Sequence, residues 1–252
     1  MDVLEYPVQG KPSGGGAVPA PDVQRFEESG TWIKPAMVSA TSKTVVRIVP
    51  PGGGGGSGYK STTTTGYGGR YGYTGLIVEK TFLTSDLPVS VDVTVGLPGV
   101  GGPSKTTEGP GNDGTDGGTS SFGALLSSVG GLKGLGGNTA LGNPSTSELW
   151  NAGPGGNGYG KTSKNSNPAY AGGDGSTAIS PATGGLPNAV GTDSSDDMGG
   201  GGGGGGTQNN AGKKGGKYGG GGGGGGGAPN DSGNSGAGGD GGDSVVLVTT
   251  YP

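Results

Sequence analysis

Gly219-Gly-Gly-Gly-Gly-Gly-Gly-Gly-Gly227 is the longest of three uninterrupted glycine runs, the others being Gly52–Gly56 and Gly199–Gly206. They stand in a chain of 252 residues that holds 69 glycines. Glycine has no side chain to bury, and ordering its backbone costs about 1–2 kcal/mol per residue. A net gain of about 1 kcal/mol per hydrogen bond does not offset that for a lone run. The balance shifts when many runs lie side by side as extended helices of the polyproline-II type, because backbones without Cβ atoms approach closely. Weak Cα–H···O contacts then add about 0.5–1 kcal/mol each. The composition alone also fits a low-complexity, disordered tail. Against that reading, the chain closes on Ser244-Val-Val-Leu-Val-Thr-Thr-Tyr251, a β-strand pattern that requires a partner. The expectation is therefore a packed polyglycine-II bundle attached to a small antiparallel β module, mostly β plus irregular in class.

Only 27% of residues are hydrophobic, so the apolar core must be small. The formal net charge is −4 and no basic block exists, which removes the electrostatic footprint of a nucleic-acid binder. Cysteine and histidine are absent. That excludes disulfides, thiol nucleophiles, haem and iron–sulfur ligation, and the usual general base. Met1-Asp-Val-Leu-Glu5 carries no basic, apolar leader and no apolar run reaches the length of a bilayer span, so no membrane insertion is expected.

Read in order, residues 1–24 form a Pro/Gly arm with an apolar patch at Val3–Val8, a possible attachment point. Residues 25–100 form the β module and residues 101–252 the glycine bundle, with a closing strand at 244–251. Phe26 to Pro35 reads as a hairpin around Ser29-Gly30, and Lys43-Thr-Val-Val-Arg-Ile-Val49 as a strand stopped by Pro50-Pro51. Leu76–Phe82 is a further apolar run. Val89, Val91, Val93 and Val95 alternate with Ser90, Asp92 and Thr94, the pattern of a half-buried antiparallel strand. Ser121–Val129 is compatible with a helical turn or a strand. Val245–Val248 is expected to pair with strands from residues 26–95, with Val245, Leu247, Val91 and Val93 as shared core and Phe26 and Trp32 as further structural residues. Gly199–Gly206 and Gly219–Gly227 are expected to be neighbouring helices.

Three motifs invite chemistry. Gly155-Gly-Asn-Gly-Tyr-Gly-Lys-Thr162 fits the phosphate-loop pattern without the strand before and the helix after that the pattern needs. Gly238-Gly-Asp-Gly-Gly-Asp-Ser-Val245 fits a single calcium β-roll repeat, where stacked repeats are required. Asp193, Asp196 and Asp197 sit in a polar loop with nothing to organise them. Neither a catalytic site nor a cofactor is expected.

Taken together, Phe26-x-x-Ser-Gly-Thr-Trp-x-Lys-Pro35, the valine-rich strand running into Gly52–Gly56, Val93-Thr-Val-Gly96, Ser120-Ser-Phe-Gly123, the glycine runs and the closing strand with Tyr251 resemble a known group. The chain over about residues 25–252 is similar to the glycine-rich tail and tail-fibre proteins, including minor tail proteins, of tailed bacteriophages. Pro50-Pro51 after the strand and the long, glycine-poorer segment 138–198 depart from that pattern, and the arm lies outside it. The resemblance implies a non-enzymatic structural virion protein at the tail tip or fibre, with loops between glycine helices acting in host recognition as an adhesin. The alternatives are a purely architectural tail protein and an extracellular, cellular wall or matrix protein. Tyr59, Tyr67, Arg70, Tyr71, Tyr73, Trp150, Tyr159 and Tyr170 are the receptor-binding candidates, since rings flanked by small polar residues suit a binding surface. The expected partners are other phage tail proteins and a bacterial surface glycan or outer protein; the oligomeric state stays open, a homotrimer included.

Overall fold

The computed structural model describes residues 20–36, 38–62, 67–137, 209–228 and 233–252. Among these the protein is mostly β, with a single 3-10 turn at Thr84–Asp86 and no α-helix. Strands β1 (Asp22–Phe26), β3 (Lys43–Val49), β4 (Val78–Leu83) and β8 (Val245–Tyr251) form one antiparallel sheet in the order β1-β8-β3-β4. Strands β2 (Gly30–Ile33), β5 (Ser90–Thr94), β6 (Ser120–Phe122) and β7 (Leu126–Ser128) form the second, in that order. The β-branched run at Lys43–Val49 suits a pleated, half-buried surface, and Pro50-Pro51 ends it by removing ladder donors.

The sheets pack face to face over Trp32, Val91, Val93 and Phe122 on one side and Val46, Ile48, Val246 and Val248 on the other. Trp32 and Phe122 meet edge to face at 5.5 Å. β8 lies between β1 and β3, with Val248 opposite Val46 and Leu247 opposite both Arg47 and Arg25. Val246 and Val248, not Leu247, therefore face the Val91–Val93 layer; Leu247 is half-buried on the other face. Val245 is fully buried in a separate cluster with Val49 and Tyr218. In Val245-Val-Leu-Val248 every residue is apolar, so alternation does not reveal which parity points inward.

Phe26 to Pro35 is not a hairpin: β1 pairs with β8 and β2 with β5, so the chain crosses between sheets at Glu27–Ser29. The Gln24 side chain takes the place of a ladder, donating to Ile33 O at 2.9 Å and accepting from Ile33 N at 3.3 Å. The pressure to bury Phe26 and Trp32 in a shared interior outweighs local pairing. Ser120–Ser128 is a short strand hairpin turned at Gly123, whose φ of +51° suits glycine.

Beyond the sandwich lie eight extended segments outside the strands: 51–61, 67–75, 97–102, 109–118, 130–137, 209–216, 219–228 and 236–242. Segment 51–61 is buried along nearly its whole length. Its N–H groups serve three antiparallel neighbours in rotation. Gly52, Gly55 and Gly58 donate to Gly242, Gly239 and Gly236; Gly53, Gly56 and Tyr59 to Tyr73, Arg70 and Tyr67; Gly54, Ser57 and Lys60 to Thr115, Asn112 and Gly109. Its carbonyls accept from three parallel neighbours. Gly131, Gly134 and Gly137 donate to Pro51, Gly54 and Ser57; Gly99 and Gly102 to Gly52 and Gly55; Gly222, Gly225 and Ala228 to Gly53, Gly56 and Tyr59.

These six neighbours bond to one another, closing a ring in which parallel and antiparallel segments alternate, and 209–216 lies outside it against 219–228 and 236–242. A Cβ on Gly52–Gly56 or Gly58 would lie 2.0–2.2 Å from a neighbouring carbonyl oxygen. Glycine is therefore demanded on every phase of the central segment. An outer segment meets the centre on one phase only: Gly111, Gly114 and Gly117, or Gly131, Gly134 and Gly137. Segment 236–242 lies between the centre and 209–216 and needs two phases, which leaves Ala237 and Asp240 as its side chains. Residues on both sides of residue 100 thus contribute to the sandwich and to the glycine segments alike.

Candidate functional site

Because β3 runs directly into residue 51, one end of the glycine segments abuts the sandwich and the end near residue 61 lies far from it. The junction is closed by buried hydroxyls. Ser244 Oγ donates to Val49 O at 2.8 Å and lies 2.7 Å from Ser120 Oγ, which accepts from Gly96 N at 3.0 Å. Beside it, Tyr218 fastens the 209–228 segments to β1. Its hydroxyl donates to Glu27 Oε1 at 2.8 Å and accepts from Arg25 at 2.8 Å, while the Arg25 guanidinium lies over its ring at 5.1 Å. Those donors from Tyr218 and Arg25, with Lys217 Nζ 3.7 Å away, hold the Glu27 carboxyl below its ordinary value. Burial pushes the Tyr218 phenol up. Lys214 and Lys217 both reach Asp243. A cavity of about 200 Å³ is lined by Glu27, Leu97, Pro98, Lys217, Asp243 and Ser244, among others. Glu27, Lys217 and Asp243 on its wall are engaged with one another, which fastens these segments together.

The far end carries short polar loops. Lys60 Nζ donates to Gly233 O at 2.8 Å, Thr62 Oγ1 to Glu108 at 2.9 Å, and Lys105 N to Ser235 Oγ at 2.9 Å. These contacts tie the loop at 103–109 to the ends of the central segment and of segment 236–242.

The described parts of the tyrosine-rich stretch are extended segments bonded to their neighbours. Tyr59 belongs to the central segment, and Tyr67, Arg70, Tyr71 and Tyr73 lie on an outer one, half-buried, where Arg70 and Tyr73 donate their N–H groups to Leu135 and Leu132. Tyr71 and Tyr73 meet edge to face at 5.1 Å. Burial and the neighbouring Tyr73 raise the Tyr71 phenol. The candidates thus form a row along the flank, with Tyr67 nearest the far end. Trp150, Tyr159 and Tyr170 lie outside the described residues, as do Gly155–Thr162, Asp193, Asp196, Asp197 and Gly199–Gly206.

In the single β-roll match, Asp240 accepts from Gly101 N at 2.8 Å and Asp243 pairs with lysines. Among the described residues no three metal-ligating side chains gather, and no helix is long and apolar enough to cross a membrane.

Tyr218 and the acids at Asp113 and Asp116 escaped the sequence reading, as did the capping role of Asp240. The acids cap outward amides of neighbouring segments: Asp116 accepts from Lys133 N at 2.7 Å and Asp113 from Gly136 N at 2.9 Å. Their signal was the three-residue spacing, matched by the spacing of the amides they serve.

Residues 27–251 match the family described as a glycine-rich domain. No curated protein matches the chain.

Proposed function

The chain belongs to the glycine-rich domain family, and from that premise we propose that it is a non-enzymatic structural protein of a bacteriophage tail tip or tail fibre. In this reading the glycine segments are polyglycine-II helices forming a stiff spacer, and the loops at its far end make the host contact. The observation that carries it is the rotation of hydrogen bonds from 51–61 to six neighbours. A three-residue repeat of donors is what a helix with three residues per turn produces. At roughly 3.1 Å per residue such a helix of this length spans about 30 Å. The outward chemistry supports a spacer as well, since the side chains of segments 109–118 and 236–242 are spent capping neighbouring amides.

In this reading recognition belongs to the loop at 103–109 and to Thr62 and Tyr67 at the same end, with a surface glycan or outer protein as the receptor class. Tyr71, Tyr73 and Arg70 stand further back along the flank.

The test is imaging of purified virions carrying antibody fragments against the 103–109 loop, together with an adsorption assay. Labelled tail tips and blocked adsorption are expected. Label on the tail with normal adsorption reduces the protein to an architectural role, and virions without label overturn the proposal.

A further inference from the structure

Where an outer glycine segment has its side chains on the surface, they are mostly polar. Asn112, Asp113, Thr115 and Asp116 lie on one segment and Lys213 and Lys214 on another. Segments 97–102 and 130–137 break that rule, and the second carries the longer row. Val129, Leu132 and Leu135 follow at three-residue spacing and are 69%, 60% and 45% exposed, and Leu76 at 58% extends the row at the sandwich junction, where its carbonyl accepts from Ser128 Oγ. At roughly 3.1 Å per residue, Val129 to Leu135 is an apolar stripe about 19 Å long. A row of exposed apolar side chains on one flank is the kind of feature that marks an interaction site.

We propose that this stripe is the contact between two copies of this chain, packed side by side in parallel. The hydrogen bonds fix what flanks it: segment 67–75, with Arg70, on one side, and segment 109–118, with Asp113 and Asp116, on the other. Arg70 N donates to Leu135 O and Asp113 accepts from Gly136 N, so base and acid stand level on opposite flanks; Lys133 Nζ pairs with Asp113 at 3.0 Å, and Asp116 beside them keeps that flank net acidic. A two-fold axis along the stripe sets each copy's Arg70 flank against the acidic flank of the other. A two-fold axis across the stripe would set acid against acid. Charge thus selects the parallel arrangement, which keeps both sandwiches at one end and both sets of far loops at the other. Leu97 and Val100, the other exposed apolar pair on these segments, lie beyond the acidic segment and outside this face.

Sedimentation equilibrium of the full chain tests it. A mass of twice 23.8 kDa is expected at micromolar concentration. The double variant Leu132→Asp/Leu135→Asp is expected to be monomeric with an unchanged circular dichroism spectrum, and Arg70→Glu to weaken association about tenfold. The chain has no cysteine, so Leu135→Cys reports the direction. Parallel packing brings the two introduced thiols together and gives a rapid disulfide dimer, whereas antiparallel packing requires the Leu135→Cys/Val129→Cys combination. A monomeric wild-type chain, a dimer indifferent to the aspartates, or cross-linking by the combination alone would each overturn the proposal.

Discussion

The sandwich and the glycine segments are two interiors in one chain, built on opposite principles. In the sandwich, side chains make the interior: Trp32 and Phe122 fill the space between sheets, and the backbone bonds only within each sheet. In the glycine segments the backbone itself is the interior, and segment 51–61 meets six neighbours through N–H and C=O groups with almost no side chain between them. The first kind of core is set by apolar area and volume, so it adjusts to a similar side chain. The second is set by the distance between main chains, and a single methyl group has nowhere to go. The two are joined by Ser120, Ser244 and Tyr218, polar groups that suit a boundary between apolar packing and amide packing.

The largest effect that would break this contrast is removal of residues 244–252. β8 lies between β1 and β3, so the deletion splits the first sheet and strips Val246 and Val248 from the core. Loss of cooperative unfolding in calorimetry is expected for the whole chain, and a retained sandwich transition would show that the two interiors fold independently.

Next come matched substitutions in the two interiors. Trp32→Ala should cost about 3–5 kcal/mol in urea unfolding, as large core truncations do. Val46→Ile, adding one methyl to the fully buried sandwich core, should cost about 1–2 kcal/mol, since neighbouring side chains can shift to accept it. Gly54→Ala adds the same methyl 2.1 Å from Val100 O. It should cost about 3 kcal/mol or more, because only backbone can move aside. Equal costs for Val46→Ile and Gly54→Ala would remove the distinction between the interiors. Leu97→Ala, at a position 79% exposed, should stay within about 0.5 kcal/mol and serves as the reference.

The smallest effect is acid sensitivity. Burial works to raise the Asp113 carboxyl, but the Gly136 N–H and Lys133 outweigh it and leave the group below its ordinary value of 3.8. A carboxylate with a depressed folded pKa contributes stability that is complete above its unfolded pKa and is lost as pH falls through the lower folded value. Glu27, held down chiefly by Tyr218, has the same sign. Melting temperature should therefore be level from about pH 7 to 5 and fall below about pH 4. Asp113→Asn should reduce the slope for the glycine segments, and Glu27→Gln should reduce it for their attachment to β1. A profile unchanged in both variants would mean that neither carboxylate couples to folding.

Much of the sandwich was legible because alternation is a local signal. Val91 and Val93 are buried while Ser90, Asp92 and Thr94 are exposed, as their period of two requires; Val89, expected on the same face, precedes the strand and is 76% exposed, and Val95 after it is half-buried. Phe26–Pro35 misled because a Ser-Gly turn between strands does not say whether the second strand returns to the same sheet. The glycine region held a further signal, the number of glycine phases per three residues. Asn112-Asp113-Gly114-Thr115-Asp116-Gly117 has one phase and lies on the outside. Ala237-Gly-Gly-Asp240-Gly-Gly has two and lies between layers; Gly52–Gly56 and Gly219–Gly227 have all three, and the first lies at the centre while the second lies in the ring, between the centre and 209–216.

The sequence by itself determined that this chain has a small β core and a glycine-built remainder, because hydrophobic content and the absence of Cβ atoms are properties of residues. Through glycine phase it also limited which sides of each extended segment can be covered closely by a neighbour. The tertiary structure alone decided which segments are those neighbours. Every glycine presents the same N–H and C=O groups, so pairing Gly52 with Gly242, or Gly53 with Tyr73, is set by where the strands of the sandwich deliver the chain and not by any label in the paired residues.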